Sequence, residues 1–214
     1  MAGGANRMHL REALDQIAEI RQRMAASELF RGYRSLPIAF SGLLAFGGGM
    51  LQFILLPDPI YEVRSYVLLW SGVALLSLLA TALTMWLRNH FAGPSHTRAV
   101  TWLALRQFVP SLFGGAIVTI AIVRIGNDAA WLLPGIWQLF FSQGIFASCR
   151  LLPRPIFVVG IFYFVTGSAS LFVFDDTYAL SPWAMILPFG IGQFFAAALL
   201  YLTLERRDAV ETET

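Results

Sequence analysis

The residues that could do chemistry in an apolar setting are few. Four glutamines, Gln52, Gln138, Gln143 and Gln193, fall within long apolar stretches of the sequence. A buried amide both donates and accepts hydrogen bonds, and hydrocarbon offers it no partner. These side chains can therefore bind a polar headgroup or small ligand, or bond across to neighbouring helices. Gln138-Leu139-Phe140-Phe141 and Gln193-Phe194-Phe195 resemble each other locally. Ser142 stands beside Gln143, but its stretch holds no His or acid to activate it, which disfavours serine-nucleophile chemistry.

The titratable residues sit elsewhere. His9, His90 and His96 fall in polar segments, so they offer no haem ligands between apolar helices. Zinc at His90 and His96 would need more ligands than Asn89 and Ser95 supply. The single cysteine, Cys149, excludes an internal disulfide and a cysteine-based metal cage. All 15 basic residues are arginine. Without lysine there is no Schiff-base chemistry and no phosphate-binding loop ending in Lys. Arg106 is the one ionisable residue that could enter a bilayer. It either snorkels to the interface or contacts an anion below a kink, because Pro110 frees its carbonyl. No metal, cofactor or nucleic-acid partner is expected, and the chain reads as a non-enzyme.

The elements that must position these residues follow from composition. Of 214 residues, 57% are hydrophobic and only 13% charged, with mean hydropathy +0.65. Soluble domains carry about 25% charged residues. A chain with half that charge cannot cover a water-facing surface, which leaves a polytopic membrane protein. A span needs about 20 mostly apolar residues. Six stretches qualify, roughly Pro37–Leu56, Val67–Leu87, Gln107–Val123, Ala129–Ser148, Pro155–Phe174 and Trp183–Leu204. The expected fold is all-α: six transmembrane helices in three antiparallel hairpins over residues 35–205. A cytoplasmic amphipathic helix (1–34) precedes them and a short tail (206–214) follows.

Orientation follows from the arginines. Arg7, Arg11, Arg21, Arg23, Arg31, Arg34, Arg88, Arg98, Arg150, Arg154, Arg206 and Arg207 fall on one side, against Arg64 and Arg124 on the other. The positive-inside rule puts both termini in the cytoplasm, and a bacterial inner membrane is the expected location. The hairpins read alike, each with inner Arg and Pro, mid-span small residues, an outer acid and a Trp (Trp70, Trp131, Trp183). Either the hairpin is triplicated or each copy obeys the same interface rules. Small residues recur at every fourth position, Ser41, Ala45 and Gly49 in the first span and Ser111, Gly115 and Thr119 in the third. Such stripes let helices pack closely.

The N-terminal segment carries one apolar stripe at helical spacing, Leu10, Leu14, Ile17, Ile20 and Met24. Through Glu28 its four acids, Glu12, Asp15, Glu19 and Glu28, match Arg7, Arg11, Arg21 and Arg23. A helix lying on anionic lipid should be basic on its polar face. Balanced charge around a narrow stripe suits helix–helix contact better. Three functions compete. The first is a non-enzymatic membrane component, embedded in the lipid bilayer, whose N-terminal helix contacts a protein partner or itself. The second is a small transporter or substrate-binding membrane subunit for an uncharged or hydrophobic cargo. The third, an enzyme acting on lipid, lacks any acid, base or metal cluster at depth. The topology has a direct check: reporter fusions after Asp58, Asp128 and Asp176 should all report the outer side, and one cytoplasmic signal breaks the six-span reading.

Overall fold

A computed structural model describes residues 35–91, 96–149, 154–174 and 176–205. The amphipathic segment 1–34, with Leu10, Leu14, Ile17, Ile20 and Met24, lies outside the described residues, as does the tail 206–214. All regular structure among the described residues is helical. Helix α1 spans Ser35–Leu55. It ends before Pro57-Asp58-Pro59, where proline disfavours helical geometry in the residue ahead of it. Helices α2 (Val63–Phe91) and α3 (His96–Ile125) follow. Both extend beyond the apolar runs of the sequence. A helix needs backbone continuity rather than apolarity, and Arg64, Ser65 and Tyr66 continue α2 outside its run.

Helix α3 keeps its helical path through Pro110 and stops at Gly126. That glycine has φ +134°, a backbone conformation side chains rarely adopt. A 3₁₀ turn, Asn127–Leu132, then leads into α4, Leu133–Ser148. The run Ala129–Ser148 is therefore not one continuous α-helix. Pro134 occupies the first turn of α4, where its missing N–H is tolerated. Helix α5 is Ile156–Val173. After it come two single turns, α6 (Asp176–Ala179) and α7 (Pro182–Met185). The last stretch is interrupted: a π-helical segment Ile186–Ile191, α8 (Gly192–Leu200), and a second π segment, Tyr201–Glu205.

Among the described residues, five stretches are long and apolar enough to cross a membrane: Ser35–Leu55, Val63–Leu87, Arg106–Ile125, Ile156–Val173 and Pro182–Thr203. Helix α4, with 16 residues, is shorter, and the 3₁₀ turn prolongs it. Large apolar side chains face outward on α1, α2, α3 and α5, among them Ile54, Leu68, Phe113 and Val165. Such faces suit hydrocarbon, and the protein is a membrane-embedded helical one. Helix α4 is the most enclosed, packing along α5 on one flank and α3 on the other. Helix α1 packs against α2 and against the interrupted last stretch. Helices α2 and α3 touch little, and α2 is mostly exposed.

Close approach depends on bulky groups seated on glycines of the next helix. Phe108 lies over Gly144, Phe146 over Gly160 and Phe46 over Gly190: a Cβ on these glycines would come within 2.5–2.6 Å of a ring carbon. At the α4–α5 crossing, a Cβ on Gly135 would lie 2.9 Å from the Gly167 carbonyl oxygen. Of the small-residue stripes, Ala45 and Gly49 are buried, and a Cβ on Gly49 would collide with Ile186 of the π segment. Gly115 is buried but roomier, 3.7 Å from Phe140, whereas neighbouring Gly114 is tight at 2.6 Å. Ser41 bonds back to the Ile38 carbonyl, Thr119 to the Gly115 carbonyl, and Ser111 is half-buried.

Gly49→Ala should therefore destabilise the protein by about 1–3 kcal/mol, the range for overpacking a filled site. Gly47, two positions away, has open space where a side chain would go. Gly47→Ala should be neutral or stabilising by up to about 1 kcal/mol, since Gly is the weaker helix former. Melting temperatures in detergent compare the two, and equal tolerance would mean that Gly49 does not sit against Ile186.

Candidate functional site

The break in the last span has an identifiable cause. Pro188 has no N–H, so the carbonyl of Ala184, four residues earlier, loses its α-helical partner. The helix widens to π geometry across Ile186–Ile191 around the proline. Gln138 of α4 supplies the missing donor: its Nε2 donates to the Ala184 carbonyl at 3.3 Å. A second glutamine does the same work one turn outward. Gln52 Nε2 donates to the carbonyl of Leu180, in the turn between α6 and α7, at 2.7 Å. Trp70 Nε1 of α2 then donates to Gln52 Oε1 at 2.8 Å. Two amides from α1 and α4 thus hold the α6–α7 segment by its backbone.

The four glutamines of the sequence analysis do not converge on one point. Gln52 and Gln138 are fully buried and serve the same segment from two helices. Gln143 is exposed. Gln193 is half-buried between α8 and α1, its Cβ close to where a Cβ on Gly42 would lie. Arg106 is exposed. Trp70 departs from the hairpin pattern, in which its Trp marks an interface: it is 3% exposed, against 58% for Trp183.

The hydrogen-bond ledger around α4, α5 and the π segment does not close. Gln138 Oε1, Ser142 Oγ, Tyr163 Oη and Ser170 Oγ are all buried and have no partner. Gln138 and Ser142 are one helical turn apart on α4, and Tyr163 and Ser170 two turns apart on α5. The facing positions are close: a Cβ on Gly167 of α5 would lie 2.9 Å from the Gln138 Cβ. The Tyr163 hydroxyl reaches the last span, 2.7 Å from where a Cβ on Gly192 would stand. Gln193 lies within electrostatic reach of that hydroxyl but forms no well-shaped hydrogen bond with it. Three rings wall the group, with Tyr163 centred 4.8 Å from Phe141 and 5.4 Å from Phe189.

Several other helical hydroxyls among the described residues behave differently. Ser77, Thr81, Thr84, Thr119, Thr166 and Thr203 each donate to the carbonyl four residues earlier on their own helix. That is the local way to satisfy a hydroxyl on a helix. Ser142 and Ser170 do not take it. An unpaired buried polar group costs about 1–3 kcal/mol, and four of them together approach the roughly 5–15 kcal/mol stability of a whole domain. Two further buried polar atoms lack partners outside this group: the hydroxyl of Tyr66, on a ring stacked against Trp137 at 6.0 Å, and Oε1 of Gln107 on α3.

Sequence reasoning found Gln52 and Gln138 because an amide in an apolar run is conspicuous. It weighed Ser142 only as a nucleophile and passed over Tyr163 and Ser170. Their signal was weak, since most hydroxyls in apolar helices bond to their own backbone. Among the described residues no group of three or more His, Cys, Asp or Glu could hold a metal ion. The chain matches no family model, no curated protein and no solved structure.

The Gln52 junction has a measurable consequence. Gln52→Leu leaves Trp70 Nε1 and the Leu180 carbonyl unpaired at one stroke, so it should lower the melting temperature clearly. Gln143→Leu, at an exposed position, should not. In a double-mutant cycle with Trp70→Phe, the coupling should be about 0.6–1.7 kcal/mol, as for other hydrogen bonds between membrane helices. Additive effects would mean that the two side chains do not bond.

Proposed function

We propose that this chain is a non-enzymatic membrane component with six spans and cytoplasmic termini, and that it binds or passes a small uncharged molecule. The observation that carries the reading is the set of unpaired, fully buried polar atoms between α4, α5 and the interrupted last span. Neutral groups suit a neutral cargo. The described parts of the spans place no carboxylate or arginine among them, so an ion would enter without a counter-charge. The π segment supports the same assignment, because single-turn π interruptions recur at functional positions in helices.

The reading is tested with the purified full-length protein in liposomes. A panel of small uncharged solutes, including urea, glycerol and dimethyl sulfone, is compared with sodium and chloride. At least one uncharged solute should cross faster than in protein-free vesicles, and the ions should not. Ion flux above background, or no enhancement for any solute on the panel, would overturn it. In the second case a docking role for the segment 1–34 becomes the leading account.

A further inference from the structure

The unpaired atoms differ in what they require. Gln138 uses one Nε2 hydrogen on the Ala184 carbonyl, while its Oε1 has no partner, and that atom can only accept. Ser142, Tyr163 and Ser170 each offer a hydroxyl that can both donate and accept. A molecule satisfying this set must donate to the amide oxygen and exchange hydrogen bonds in both directions with the hydroxyls. A pure acceptor leaves Gln138 Oε1 unpaired. A cation finds no carboxylate, and an anion finds no basic side chain among these residues.

Spacing sets the shape of the site. Ser142 lies about 6 Å along α4 from Gln138, and Ser170 about 10 Å along α5 from Tyr163, at about 1.5 Å per residue. The polar atoms thus form a track along the helix axes rather than a single point. Packing beside it is tight: Gly167 faces Gln138 with no room for a methyl group, and the Tyr163 ring reaches Gly192. Aromatic edges and faces from Phe141 and Phe189 make up the apolar side. A slender molecule with several hydroxyls along an apolar backbone fits both demands.

We infer that Gln138, Ser142, Tyr163 and Ser170 form a neutral polar track whose ligand class is small, hydroxyl-bearing, uncharged molecules, of which glycerol is the simplest organic probe. The inference rests on the uncharged-cargo reading above and narrows it to hydroxyl donors. The hydroxyls of the track face the ligand instead of their own helix, which is why Ser142 and Ser170 skip the backbone bond that the threonines make. The π segment at Pro188 sets Phe189 against Tyr163 and so shapes one wall.

Stopped-flow light scattering on proteoliposomes tests this with glycerol, erythritol and the acceptor-only solute dimethyl sulfone. Glycerol and erythritol should equilibrate faster than in protein-free vesicles, and dimethyl sulfone should not. Ser142→Ala and Tyr163→Phe each remove one hydroxyl, and each should lower the protein-dependent glycerol flux about two- to tenfold, the worth of one hydrogen bond. Their melting temperatures in ligand-free detergent should equal or exceed the wild type, because each deletes an unpaired polar atom. A purely structural role would leave flux unchanged at matched protein content. Ser170→Ala serves as a further variant should either of the others fail to fold. Enhanced dimethyl sulfone flux without enhanced glycerol flux overturns the hydroxyl assignment and leaves the uncharged-cargo reading standing. No enhancement for any uncharged solute overturns both.

Discussion

A backbone carbonyl deprived of its amide partner cannot be left in hydrocarbon, and that constraint organises one whole side of this protein. Pro188 creates the deficit at Ala184. The local response is a π-helical widening, which re-spaces the backbone but does not supply a donor at every position. The tertiary response is Gln138, brought from another helix to the Ala184 carbonyl, and Gln52, brought to Leu180. Because these donors come from α4 and α1, the interrupted span must lie against both helices at a fixed depth. The helix order around it follows from this requirement as much as from apolar packing.

Glycine provides the geometry that makes such short bonds attainable. A glutamine side chain reaches a neighbouring backbone only when the helices come close. Gly135 and Gly167 let α4 close on α5, and Gly49 lets α1 close on the π segment. The rings of Phe108, Phe146 and Phe46 then occupy glycine surfaces and lock the rotation of each helix. Dispersion over these contacts holds the bundle, since lipid is as apolar as the side chains and no hydrophobic force drives helices together within it. The exposed apolar faces, by contrast, are interchangeable, and α2 shows this most plainly.

Four of the six unpaired buried polar atoms among the described residues fall in the set around Tyr163. The same chain that bonds Trp70 to Gln52 and Trp137 to Thr119 leaves four buried polar atoms facing one another's helices without partners. Where packing alone governs a site, apolar residues of similar volume would avoid that cost. Retained polar groups at a helix interruption are the pattern of a place built to exchange partners with something that comes and goes.

Much of the architecture was legible in the residues themselves. Low charge and long apolar runs dictate membrane helices, because an unpaired backbone cannot cross hydrocarbon in any open form. Sequence also singled out Gln52 and Gln138, because an amide is costly in such a run. It did not reveal what they bond to. A carbonyl on a distant segment carries no mark in the sequence, and Leu180 lies 128 residues from Gln52. Nor did it separate Gly114 from Gly115, or the exposed Gln143 from the buried Gln138, since helix rotation is set by neighbouring helices. The last span, Pro182–Thr203, was legible as one apolar stretch, but its π segment was not, because hydropathy does not register one missing N–H. Which hydroxyls fold back on their own helix, and which face the interior unpaired, was decided only by tertiary packing: both choices use the same residue types, and only the surrounding helices close off one of them.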